Sequence, residues 1–118
     1  MKYMLLVYAD ERVWTDPERD QCFAESIQLA HELKERGKYL AANPLQSVLT
    51  ATSVRIRGGK SLITDGPFAE TREQLGGYFL VEAGNLDEAI AVAKQIPGVH
   101  KGTVEIRPIL EIPGMPAE

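Results

Sequence analysis

Apolar residues fill both alternating sets of positions in two segments of the chain, residues 2–8 and residues 78–83. A strand that is apolar on both faces is typical of a sheet interior covered on both sides. The pattern therefore predicts that each segment is a strand with two covered faces, and that residues 2–8 form a central strand.

Helical signals occur at two places. Thr15 with Glu18, and Asn85 with Glu88, each match a capping box, in which a side chain before the helix and a glutamate three residues later bond each other's backbone N–H. At the first site the alternative is an Asp16 cap with Pro17 at the first helical position. The first helix is predicted to begin near residue 16 and to end at Gly37, the second to end at the Pro97-Gly98 pair. The apolar stripe of the first helix contains Phe23, Ile27, Ala30 and Leu33.

The remaining elements are shorter. Residues 38–42 and 103–110 read as strands, residues 71–74 as a single helical turn, and residues 50–57 and 60–64 as a hairpin. Without the hairpin, the order is strand, helix, strand, strand, helix, strand. We predict an α+β fold, a ferredoxin-like βαββαβ antiparallel sheet with an inserted β-hairpin.

Both helices of such a fold lie on one face of the sheet, so the apolar second face needs another cover. An open apolar face of that size on a small protein indicates an interface. We predict a homodimer in which two sheets pack face to face. In the alternative, the hairpin and the irregular tail at 112–116 fold over that face in a monomer.

Composition narrows the class of protein. The 118 residues are 44% hydrophobic and 25% charged, which predicts a single globular domain, residues 1–118. The net charge of -4 argues against a nucleic-acid partner. The first apolar run is too short for a signal peptide or a membrane span, and Cys22 is the single cysteine, so we expect no membrane association and a cytoplasmic location.

Polar chemistry is densest between residues 63 and 78. Asp65 is the candidate acid/base, with Glu70 and Glu73 as further candidates; burial would raise a carboxyl pKa toward the range of a general base. The candidate ligand-binding residues are Phe68, Arg72, Tyr78 and Arg107. The structural alternative is that Asp65 caps a rigid turn and that the arginines form salt bridges.

The sequence lacks the residue patterns expected for metal binding, nucleophilic catalysis or nucleotide-cofactor binding. His31 and His100 are far apart with no paired spacing, so no metal site is predicted. Cys22 fits a small core residue better than a nucleophile, since no base is paired with it. The glycine pairs lack the ending of a phosphate loop, and no cofactor is expected.

The segment Asp65-Gly66-Pro67-Phe68, followed by residues 70–78, resembles the DGPF-motif proteins of the YCII-related family, as do both chain ends. The resemblance implies a dimeric α+β barrel. It also implies links to extracytoplasmic-function sigma factors and a superfamily containing small enzymes such as muconolactone isomerase. YCII proteins carry a helical histidine and an Asp as a proposed acid/base pair; here Ser26 and Glu35 take those positions, and His31 is expected to be a surface residue.

Two function classes follow. The first is a cofactor-independent isomerase or lyase that uses a carboxylate acid/base on a small acidic or aromatic ligand. The alternative is a non-catalytic ligand-sensing or interaction domain associated with sigma-factor-type transcription regulation.

Overall fold

The computed structural model describes residues 1–116; the last two residues of the predicted domain, 117 and 118, lie outside the described range. The helices and longer strands are β1 Lys2–Ala9, α1 Asp16–Glu35, β2 Tyr39–Pro44, β3 Thr52–Arg57, β4 Lys60–Asp65, β5 Gln74–Glu82, α2 Leu86–Ala93 and β6 Thr103–Pro108. Short 3-10 turns lie at Glu11–Val13, Val48–Thr50 and Pro97–His100.

The ferredoxin-like prediction is confirmed by the strand order. An antiparallel sheet has the order β2-β5-β1-β6, and β3 pairs with β4 in a separate hairpin. β1 is central as predicted, because Leu5 lies opposite Phe79 on one side and Ile106 on the other.

One face of the sheet carries the core. The buried cluster combines β1 and β5 with both helices and contains Tyr3, Leu5, Leu29, Leu33, Phe79, Val81, Ala83, Ala89, Val92 and Ile96. Burying these side chains is the main favourable term in folding. The predicted stripe of α1 is only partly correct: Leu33 is fully buried, whereas Phe23 and Ile27 are 42% and 60% exposed.

The first capping box is confirmed. Thr15 Oγ1 accepts a hydrogen bond from Glu18 N at 3.2 Å, and Glu18 Oε1 accepts one from Thr15 N at 3.0 Å. The Glu18 carboxylate also accepts a hydrogen bond from Lys101 Nζ in a salt bridge, which fastens the start of α1 to the turn before β6.

This cap predicts a pH dependence. The bonds from Lys101 and Thr15 lower the pKa of Glu18 from 4.5 to about 2. Because the folded pKa lies below the unfolded one, the stabilisation is present above pH 4.5 and is lost as the pH falls toward 2. We expect Glu18→Gln to have a shallower acid loss of stability than the parent in urea unfolding across this window. Glu35→Gln, on an exposed glutamate of the same helix, should follow the parent; equal slopes for Glu18→Gln and the parent would contradict the assignment.

Several predicted bounds are wrong. β2 continues to Pro44 instead of ending at residue 42, β5 begins at Gln74 instead of residue 78, and β6 ends at Pro108 instead of residue 110. Residues 71–74 do not form a helical turn, because the Gln74 side-chain amide donates to Ala69 O and Thr71 O and the Gln74 backbone starts β5 opposite Ala9. α2 ends at Ala93, and the chain continues to Pro97 through turn bonds before a 3-10 turn.

Within residues 1–116, no helix covers the second face of the sheet. Its apolar side chains, all only partly buried, are Met4, Leu6, Tyr8, Tyr78 and Leu80. The hairpin does not cover them, because every residue of β4 and all of β3 except Ser53 are exposed. In residues 1–116 no helix is long and apolar enough to cross a membrane.

Candidate functional site

Asp65 ends β4 at the base of the hairpin. The next residue, Gly66, has a φ of +106°, its N–H donates to Ala51 O at 2.8 Å, and its carbonyl accepts from Ser53 Oγ at 2.8 Å. The turn is therefore held by the backbone of Ala51 and Gly66 and by the Ser53 hydroxyl. In the part of the chain that the structure describes, the exposed Asp65 carboxylate makes no hydrogen bond or ion pair.

Phe68 and Glu70 lie on the surface beyond this turn. Phe68 is 71% exposed, and the Arg55 guanidinium carbon stands 4.4 Å from its ring centroid. Glu70 is exposed as well. Such an arrangement fits a cation–π contact on the outside of the hairpin base.

Arg72 and Glu73 lie near the ends of other strands. Glu73 Oε1 accepts from Thr103 Oγ1 at 2.8 Å, at the start of β6. Hydrogen bonds from Arg12 lower the pKa of Asp10 from 3.8 to about 2, and the charge of Arg72 contributes to that shift. The loop thus runs from the hairpin base to the end of β1 and the start of β6.

Tyr78 and Arg107 are separate again. The Tyr78 hydroxyl accepts a hydrogen bond from Asn43 Nδ2 at 3.0 Å, across β2 and β5. Arg107 is exposed on β6 opposite Met4. The structure therefore does not bring the seven predicted residues into one cavity, and their roles stay predictions.

A cavity lies elsewhere, between α1 and the sheet. Its volume is about 610 Å³. Residues of α1, β2 and β5 form most of its wall: Cys22, Phe23, Ser26, Ile27, Ala30, His31, Lys34, Tyr39, Ala42, Asn43, Pro44, Gly76, Gly77, Tyr78 and Phe79, with Val7, Ile96 and Gly98 completing it. Of the seven predicted residues, Tyr78 alone lines this cavity within the described chain.

The cavity wall is mainly apolar. Phe23 and Ile27 line the cavity from α1 and remain exposed, because they are not part of the buried core cluster. Ser26 adds a hydroxyl. Burial raises the pKa of the Cys22 thiol above its usual 9.0, against a smaller lowering effect of the hydrogen bond with Ser26, so the thiol stays protonated at neutral pH.

Lys34 is the charged side chain among the described residues that line this cavity, and His31 adds an imidazole. No Asp or Glu within residues 1–116 lines it. A second cavity of about 500 Å³ shares Cys22 and Phe23 with the first and is bordered by Arg19 and Glu11. Within the described residues no group of three or more His, Cys, Asp or Glu side chains could hold a metal ion.

Comparison with known proteins identifies the fold family. The model of the YCII-related domain matches residues 1–113. The chain belongs to the YCII-related family. It is also 32% identical over 114 residues to an uncharacterised protein of Rhizobium meliloti (strain 1021), with 92% of each chain covered.

This YCII-related domain lacks the histidine and Asp that the family resemblance implies as an acid/base pair. Ser26, at the position predicted for the family's histidine, lines the cavity, and Glu35, at the position of the Asp, is exposed at the end of α1 and does not line it. A serine hydroxyl cannot carry a proton near neutral pH as an imidazole does. The cavity in this YCII-related domain is therefore better suited to holding a molecule than to proton transfer by that pair.

Sequence reasoning missed the α1 side of this cavity. The available signal was the width of the apolar stripe. Phe23 and Ile27 lie on its margin, beside Leu29 and Leu33, which suffice to fill the contact with the sheet. An apolar stripe wider than its packing surface leaves residues for a ligand.

Proposed function

We propose that this YCII-related domain is a ligand-binding domain that takes a small aromatic or apolar molecule with a neutral or anionic polar group. The observation that carries the proposal is the cavity of about 610 Å³ between α1 and the sheet. Ligand pockets of about 300–1,000 Å³, lined mainly by apolar side chains with a few polar groups, are typical small-molecule sites.

Charge favours an acid as the ligand. Lys34 borders the cavity with a positive charge and no Asp or Glu within residues 1–116 lines it, while the chain as a whole carries a net charge of -4. An ammonium group at the rim of an apolar site attracts a carboxylate, and Phe23 and Phe79 offer ring surfaces for an aromatic body.

Binding without chemistry is supported better than the isomerase or lyase hypothesis. A general base must reach the proton it abstracts, within about 3 Å or through one water. Asp65, Glu70 and Glu73 do not line the cavity. Alternation along β5 points the Tyr78 side chain to the opposite face from Phe79, so Tyr78 borders the cavity with its backbone.

A thermal-shift experiment tests the proposal. We expect benzoate, salicylate or phenylacetate at millimolar concentration to raise the melting temperature of the parent by several degrees, because a ligand at about 100 times its dissociation constant adds about 2.7 kcal/mol to stability. Acetate, which lacks the ring, should raise it less.

A matched pair of variants locates the site. Ile27→Glu places a negative charge in the cavity wall, whereas Gln28→Glu places the same charge on the neighbouring exposed position, which does not line the cavity. We expect Ile27→Glu to raise the apparent dissociation constant, obtained from the thermal shift at increasing ligand concentration, at least about tenfold. Gln28→Glu should keep the apparent dissociation constant of the parent. If no aromatic acid stabilises the parent, or if both variants lose the shift equally, the proposal is wrong.

The proposal includes a homodimer through the uncovered sheet face. Met4, Leu6, Tyr8, Tyr78 and Leu80 form a row of apolar side chains there that no described element covers. A cytoplasmic location fits the unpaired thiol of the single cysteine. Association with sigma-factor-type regulation stays a prediction of the resemblance.

A further inference from the structure

The hairpin of β3 and β4 has one apolar and one basic face. Val54 lies opposite Ile63 in the ladder, and Ile56 lies on the same face. These three side chains are 65%, 70% and 66% exposed respectively. The opposite face contains Ser53, Arg55, Arg57, Lys60, Leu62 and Thr64.

This hairpin stands away from the rest of the chain. It forms its own two-stranded sheet, and the whole molecule has a radius of gyration of 16.0 Å, against about 13.5 Å for a compact chain of this length. A two-stranded hairpin alone is at best marginally stable in water. Its apolar face is left exposed by the rest of residues 1–116, which we call the body.

The net charge of the hairpin indicates which surface packs against its apolar face. Residues 52–65 hold three basic and one acidic residue, although the whole chain has a net charge of -4, so the body is more acidic than the chain as a whole. A basic hairpin is attracted to an acidic body and repelled by another basic hairpin. The body of a second copy of this chain has the complementary net charge, which attracts the hairpin at long range, while the apolar face, opposite the arginines, makes the contact.

We propose that the β3–β4 hairpin is a dimerisation arm. Its apolar face, Val54, Ile56 and Ile63, packs against the body of a second copy, and the second copy's arm packs in return by two-fold symmetry. The proposal rests on the homodimer included under the proposed function and adds a contact that the sheet faces alone would not make.

Two neighbouring residues give a face-specific test. Ile63 and Leu62 lie on opposite faces of the same strand and are 70% and 48% exposed. Ile63→Glu and Leu62→Glu change the net charge equally, and neither removes a buried side chain. We expect Ile63→Glu to raise the dimer dissociation constant at least about tenfold, and Leu62→Glu to leave it within about threefold of the parent, by sedimentation equilibrium at micromolar concentrations.

Other outcomes overturn the proposal in distinguishable ways. A dimeric parent with two parent-like variants shows that the arm does not contact the second copy, while the sheet-face dimer survives. Equal weakening by both variants shows a general effect of charge. A monomeric parent overturns both the arm and the dimer, and co-sedimentation of that monomer with anionic phosphatidylserine vesicles would assign the apolar face to a membrane surface. The ligand-induced thermal shift is measured separately and does not depend on any of these results.

Discussion

Gly102→Ala is expected to lower the free energy of unfolding by at least about 3 kcal/mol. This is the upper end of the usual cost of inserting an extra group into a well-packed site. A Cβ at this position would lie far inside van der Waals contact with the backbone carbonyl oxygen of Tyr8 and 3.1 Å from Ala9 Cβ. Tyr8 pairs with Thr103 in the sheet, so the clash can be relieved only by moving β6 away from β1. Flexible side chains cannot absorb it, because the obstacle is main chain.

Gly76→Ala is the matched control. This glycine also lies beside β1, but a Cβ there would be 3.8 Å from the Val7 carbonyl oxygen, which is ordinary contact. We expect its stability to stay within about 1 kcal/mol of the parent in urea unfolding. If Gly102→Ala were as stable as Gly76→Ala, the close approach of the chain to β1 before β6 would be incorrect.

Leu33→Ala is expected to cost about 3 kcal/mol, within the range of about 2–5 kcal/mol for leucine to alanine in a core. The Leu33 side chain has no exposed surface, and it joins α1 to the cluster formed by β1, β5 and α2. The change removes apolar contact area and leaves a void between α1 and the sheet. Urea unfolding of parent and variant measures the difference.

Leu49→Ala is the control for this substitution, since Leu49 is 90% exposed and the chemical change is identical. Its free energy of unfolding should differ from the parent's by less than about 0.5 kcal/mol. Similar losses for the two variants would mean that α1 does not pack through Leu33.

The sheet and its helices were predictable because their signals are local. The sequence of β1 is apolar on both alternating sets of positions, and this pattern alone predicts a central strand. The Thr15 cap likewise depends on residues three apart. Patterns of this kind act within a few residues, and they were enough to give the order of elements along the chain, from which the ferredoxin-like arrangement follows.

The loop after Asp65 and the cavity were not predictable for the opposite reason. Glu73 bonds Thr103, and Glu11 bonds the Val48 N–H at 2.8 Å, so each depends on a residue about thirty or more positions away. Helical periodicity placed Ile27 in the apolar stripe of α1 but could not say how wide the sheet beneath the helix would be. Ile27 is 60% exposed and lines the cavity instead of packing in the core.

Cys22 is a thiol through which the cavity can be labelled covalently. It is the single cysteine of the chain, and it forms part of the cavity wall. A library of disulfide-bearing fragments would therefore label one known site, detectable by a single mass shift of the intact protein. Because burial raises the pKa of this thiol, its intrinsic exchange at neutral pH is slow. The fragments captured first would be those that the cavity holds by noncovalent contacts, and their shared chemistry would test the proposed preference for aromatic acids.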